Sequence, residues 1–167
     1  MAKACIVTYD EYINIPYVKD YEKLLSDNQI EYDFIFWNRS RNENPSYSND
    51  NAYYFNWQTK KSKLSKIIPF FLWSRFARSV IKRNRYDFLI VCTTIPAILL
   101  TDLLIRNYHE KFLLDIRDFT YENFKLYRLL EKKLITAANL TVISSKGFLQ
   151  WLPEEESAYV LTHNIAG

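Results

Sequence analysis

The chain has 167 residues, enough for one domain whose core needs no disulfide or metal staple, and its 49% hydrophobic and 25% charged residues are those of a globular protein. Aromatic residues reach 17% while there are only two glycines, Gly147 and Gly167, which already disfavours any function built on a glycine-rich loop. No run approaches the roughly 18 uninterrupted apolar residues that a membrane span requires, and the formal net charge is a modest +3.

Apolar, β-rich runs alternate with segments of helical period, the pattern of a doubly wound parallel sheet of about seven strands in a single α/β domain over residues 1–167. The first strand is expected at residues 4–8. It runs straight into Tyr9-Asp10-Glu11, so nothing there reads as a signal peptide. A helix follows at 16–27, with Tyr17, Tyr21, Leu24 and Leu25 as its sheet-facing stripe. The second strand is expected at 32–37. Residues 38–51, rich in Asn and Ser and interrupted by Pro45, read as a loop. A short third strand at 52–56 precedes a long helical region at 64–83, in which Pro69 marks a start or a kink. Strand four, at 88–93, is continuously apolar, as a strand buried on both faces should be. Then come a helix at 96–107, strand five at 112–116, a helix at 121–138, strand six at 140–143, a short helix at 146–152 and a last strand at 159–162. Cys5 and Cys92 each sit in an apolar run, which suits buried reduced thiols, a reducing cytoplasm and no metal site.

In such a sheet ligands gather at the carboxyl ends of the strands, here residues 9–14, 93–95, 117–122, 144–146 and 163–165. The first of these turns carries Asp10, Glu11 and Tyr12 and no glycine. Its two carboxylates would repel a pyrophosphate, which excludes the usual NAD and ATP readings. A receiver-like phosphoacceptor using Asp10 and Glu11 lacks the aspartate it would need at the end of strand three. At the end of strand five, alternation sends Asp115 and Arg117 to one face, with Ile116 and Asp118 on the other. Asp118 could orient or deprotonate a sugar hydroxyl or stabilise positive charge at an anomeric carbon, or it could cap the next helix with Glu122 in that helix's first turn. Ser144 and Ser145, before Lys146, could cap a helix or touch a ligand. His163-Asn164 follows the last strand, where His163 could be structural or functional.

Four stretches, "RYDFLIVCTTIPAILLTDLLI", "KFLLDIRDFTYE", "LLEKKLITAANLTVISSKGFLQWLP" and "YVLTHNIAG", resemble in order and spacing the N-terminal domain of the GT-B retaining glycosyltransferases of the large family four. The resemblance covers about half the chain. It implies a cleft between two Rossmann-like domains, the N-terminal one holding the acceptor and the C-terminal one the nucleotide sugar. It implies that Arg117-Asp118 lies beside the reacting sugar, with Asp118 catalytic, and that Asn164 stands where the chain leaves for the second domain. The acceptor side would comprise Asp10, Glu11, Tyr12, Arg117, Glu122, Ser144, Ser145, Lys146, His163 and Asn164. The family's donor signature, two glutamates eight apart, occurs nowhere in these residues. The expected partners are therefore a C-terminal donor domain and a glycan or glycolipid acceptor, with no cofactor in this domain, a nucleotide-sugar donor for the whole enzyme, and no transfer by this domain alone.

Residues 51–86 contain no acidic side chain and nine basic ones: Lys60, Lys61, Lys63, Lys66, Arg75, Arg78, Lys82, Arg83 and Arg85. Interleaved with Trp73 and several Phe, Leu and Ile, all of these except Arg85 are read together with Trp73 as a surface for an anionic membrane. That would put a cytoplasmic protein on the inner face of the membrane. An ordinary sheet-covering helix with a solvated basic face is the alternative, and no nucleic-acid-binding motif accompanies the charge. A complete non-catalytic module that docks a glycolipid or recruits a separate catalytic chain is the competing function.

Overall fold

A computed structural model describes residues 2–39, 50–57, 67–118, 124–152 and 159–162. Along them run β1 (Lys3–Val7), α1 (Val18–Asp27), β2 (Glu31–Asn38), β3 (Ala52–Asn56), α2 (Ile67–Asn84), β4 (Phe88–Cys92), α3 (Thr94–Leu99), α4 (Thr101–Asn107), β5 (Phe112–Ile116), α5 (Lys125–Ala137), β6 (Leu140–Ile143) and β7 (Tyr159–Leu161). The sheet is parallel with strand order β3-β2-β1-β4-β5-β6-β7, the Rossmann-like α/β architecture that the sequence predicts. Contacts concentrate in two units, Met1–Phe88 and Leu89–Gly167.

In the first unit the aromatic surplus is core material. Residues 33–38 of β2 are all buried. Phe34 and Phe36 stack at 5.2 Å, and Trp37 meets Phe55 and Phe70 edge-on at 5.5 Å each. Phe76 of α2 lies 5.8 Å from Phe55 of β3, which seats the helix on the edge strand. Helix α1 buries Val18, Tyr21 and Leu25, whereas Leu24, expected in the stripe, is 56% exposed. A 3.6-residue period can carry only one of two adjacent residues at the centre of the buried arc, and here Leu25 has it. At the amino ends of β1 and β2 the buried Asp33 accepts from the Tyr86 hydroxyl and pairs with Lys3 at 2.8 Å. Burial, then the charge of Asp33, pushes the neighbouring Cys5 thiol up.

In the second unit all five residues of β5 are buried. The helix expected at 96–107 is two helices meeting at Leu100. The Thr101 hydroxyl donates to the carbonyls of Ile98 (2.8 Å) and Ala97 (3.3 Å), and this local bonding competes with the helical ladder at the junction. Pro69, by contrast, sits in the first turn of α2 and breaks nothing, because no intrahelical N–H is needed that early.

Glycine poverty has a backbone consequence. Gln29, Arg85 and Glu110 take the left-handed conformation, with φ of 56°, 54° and 56°, in turns that glycine usually fills. Thr93, at the carboxyl end of β4, has φ 73° and ψ 159°, a region that β-branched residues rarely enter.

Candidate functional site

The loop after β1 is built from its own side chains. Thr8 Oγ1 accepts from the Asp10 N–H at 3.3 Å, and Asp10 Oδ1 accepts from the Glu11 N–H at 2.8 Å and from Asn14 Nδ2 at 3.0 Å. The Asp10 carboxylate thus shapes the turn that a glycine would otherwise permit. Glu11 Oε1 accepts from the Arg39 N–H at 2.9 Å, joining this loop to the end of β2. The Tyr12 hydroxyl donates to Glu22 Oε2 at 2.7 Å. Burial, reinforced by that bond, holds the Tyr12 phenol well above its ordinary 10.0, so it acts as a neutral donor.

Arg39, absent from the sequence expectations, is central to this loop. Its guanidinium donates to the Tyr9 carbonyl at 3.0 Å and lies over the rings of Tyr9 (5.0 Å) and Trp37 (4.9 Å). The only sequence signal was a cation directly after an aromatic strand.

The second unit presents a different arrangement at the ends of β5 and β6. Arg117 turns back onto Asp115, on the face that strand alternation predicts, and its Nε donates to both carboxylate oxygens at 2.8 and 3.0 Å. The Arg117 side chain is 8% exposed and that of Asp115 fully buried, so this is an interior ion pair whose members hold each other. Asp118 follows and is exposed. Helix α5 begins at Lys125 with Phe124 in the cap position, so Asp118 does not cap it. The Ser144 hydroxyl contacts the Arg117 carbonyl at 3.4 Å. Ser145 accepts from the Gly147 N–H at 3.2 Å, capping the 3-10 turn Lys146–Gln150, so its capping role is realised. Lys146 is exposed at the start of that turn.

Two further features of this unit escaped the sequence. Ser145, Gly147, Phe148, Gln150 and Trp151 line an open depression of about 350 Å³, with Trp151 56% exposed beside it. Glu131 is buried within α5 and accepts from the Thr94 hydroxyl at 3.3 Å. Its spacing of three and four from Leu134 and Ile135 was a readable signal that it lies on the apolar face.

Among the expected membrane-facing residues, Arg75, Lys82 and Arg83 are exposed and Arg78 is partly so. Trp73 is not: it is fully buried, because it falls on the face of α2 that also buries Ala77, Val80 and Ile81, three to four residues apart. Lys60, Lys61, Lys63, Lys66, Glu122, His163 and Asn164 lie outside the described residues. Cys5 and Cys92 are free and buried. Among the described residues no helix is long and apolar enough to cross a membrane.

No family model matches the chain, and no curated protein matches it in sequence. In structure it is similar to sucrose-phosphate synthase from Thermosynechococcus elongatus, with a TM-score of 0.70 and 10% identity, over 98% of this chain and 48% of that one. A shorter chain of sucrose-phosphate synthase from the same organism gives a TM-score of 0.66 at 10% identity, over 99% of this chain and 91% of that one. The chain therefore spans about half the length of the first of these enzymes. Sucrose-phosphate synthase is a GT-B glycosyltransferase, and the fold of this chain agrees with that expected of an N-terminal GT-B domain.

Proposed function

We propose that the chain is the acceptor-side domain of a retaining, family-four-like glycosyltransferase, which moves a sugar from a nucleotide sugar to a polysaccharide or lipid-linked acceptor. The observation that carries this reading is the likeness to sucrose-phosphate synthase, which extends over 98% of this chain and about half of that enzyme. A C-terminal donor domain then supplies the nucleotide-sugar site, and the present domain alone does not complete transfer.

The residues divide the work as their surroundings suggest. Asp118 is the carboxylate left exposed past the buried end of β5, able to orient an acceptor hydroxyl or face the charge developing at the anomeric carbon. Arg117, committed to Asp115, positions that loop. A sugar ring can lay its C–H face on Trp151 and Phe148 while Gln150 and the Ser145 hydroxyl meet its hydroxyls. Asp10 and Glu11 make the first loop unsuited to a donor phosphate, which leaves it to the acceptor together with Tyr12. Glu122, Lys146, His163 and Asn164 complete the acceptor side.

The test is a transfer assay on the reading frame that contains this chain, using labelled nucleotide sugars and lipid extract as acceptor, beside residues 1–167 alone. Transfer by the longer protein and none by the shorter is the expected result. A reading frame that ends at Gly167 without a second Rossmann domain would overturn the proposal.

A further inference from the structure

One face of α2 is turned away from the sheet. Trp73, Ala77, Val80 and Ile81 form its buried side, which satisfies the sheet. On the other side Ile67, Ile68 and Phe71 are 65%, 61% and 61% exposed within the first turn and a half. Exposed Arg75 and Lys82 continue the same face at helical spacing, with the Arg75 guanidinium 6.0 Å from the Phe71 ring, whereas Arg83 lies over the Tyr53 ring of β3 at 5.7 Å. Residues 51–86 themselves contain no acidic side chain.

The two halves of this face limit what can cover it. A nucleic acid would take the cations and leave the isoleucines and Phe71 in water. A second copy related by a two-fold axis would bring cationic faces together. An anionic bilayer meets both demands, since hydrocarbon receives the apolar first turn while lipid phosphates receive Arg75 and Lys82. The place of this tip in the first unit is fixed by Phe70, whose ring lies 6.0 Å from Tyr9 and 5.5 Å from Trp37, at the carboxyl ends of β1 and β2. Docking would therefore bring the loop of residues 9–14 to the lipid surface.

We infer that α2 is a membrane-docking helix: Ile67, Ile68 and Phe71 insert into an anionic leaflet, and Arg75 and Lys82 hold its headgroups. The inference stands apart from the transferase reading, because it concerns a partner surface and its test measures no transfer.

The test is flotation of the full chain with vesicles of equal parts phosphatidylglycerol and phosphatidylcholine, and with phosphatidylcholine alone. Binding only to the anionic vesicles is expected. Arg75→Glu/Lys82→Glu should weaken it at least about ten-fold. Ile67→Ser/Phe71→Ser should leave low-salt binding but remove the part that survives high salt. Lys132→Glu/Lys133→Glu, on exposed positions of α5, should float as the unaltered chain does. Circular dichroism confirms that each variant is folded. Absent or lipid-indifferent binding would overturn the inference, as would equal loss on the α5 substitutions. So would a dimer in solution that Phe71→Ser dissociates, since a second copy would then own the face.

Discussion

The two carboxylate-bearing loops, one in each unit, use their charges in opposite ways. After β1, Asp10 and Glu11 are tied to backbone N–H groups of their own loop and of the end of β2. At the end of β5, the buried Asp115 pairs with Arg117, and Asp118, just past the strand, is exposed. Acidic residues at strand ends are thus not equivalent: three of the four are bonded within the structure, and the fourth, Asp118, is exposed. The largest effect that could break this division is on catalysis. In the complete enzyme Asp118→Asn should lower kcat about 10²- to 10⁴-fold while changing stability by less than about 0.5 kcal/mol. Parallel losses of stability and turnover would return Asp118 to a structural role.

Next in size is the interior pair. Asp115→Asn leaves the Arg117 guanidinium buried without its counter-charge, and a loss of about 3–5 kcal/mol in urea unfolding is expected. A loss under about 1 kcal/mol would mean that Arg117 reaches water easily and is free to meet a ligand after all. In the first unit, Glu11→Ala removes the acceptor of the Arg39 N–H and should cost about 1–2 kcal/mol, because that bond links two loops rather than crossing the interior.

A fifth carboxylate, Asp33, extends the comparison to the amino ends of the strands. The Tyr86 hydroxyl that it accepts from is held above its ordinary 10.0 by burial first, with Cys5 and Asp33 reinforcing the shift. A folded-state value above the unfolded one means that the contribution is fully present below pH 10.0 and is lost as pH rises beyond it. Lys3, raised mainly by its bond to Asp33, changes stability in the same direction above 10.5. Unfolding midpoints should therefore fall more steeply above about pH 10 in the unaltered chain than in Tyr86→Phe. Identical slopes would show that the cluster is solvated.

How much of this was legible depended on whether a property is local. Strands β3, β5 and β6 have the bounds that the apolar runs predict, and strand alternation placed Arg117 on the face of Asp115, though not the ion pair that commits it there. The inward turn of Trp73 was missed because the basic segment was read by composition, whereas burial on a helix is decided by angle, and Trp73 shares its arc with Ala77 and Val80. The Arg39 contact with Tyr9 joins segments brought together by folding, which no spacing within one segment can express, while the depression beside Trp151 is lined by residues of the one stretch 145–151 and depends on its coiling as a 3-10 turn. The break at Leu100 lay in between: Thr101 was visible, but whether its hydroxyl bonds to Ile98 and Ala97 depends on the rotamer it adopts.

The smallest expected effect concerns the scarcity of glycine that made Asp10 necessary in the first loop. At the end of α1 the chain reverses through Gln29 at φ 56°, and the Ile30 N–H returns to the Leu25 carbonyl at 2.9 Å, the closing bond of a helix that ordinarily stops on glycine. A side chain in that conformation costs about 1 kcal/mol, part of which glycine gives back through its freer unfolded state. Gln29→Gly should thus raise stability by about 0.5–1 kcal/mol, a small shift of the unfolding midpoint. Asp10→Gly, in the loop where the carboxylate itself makes the bonds, should lower it. If both substitutions stabilise, the Asp10 carboxylate is not holding its loop, and the contrast between the two units reduces to Asp115 alone.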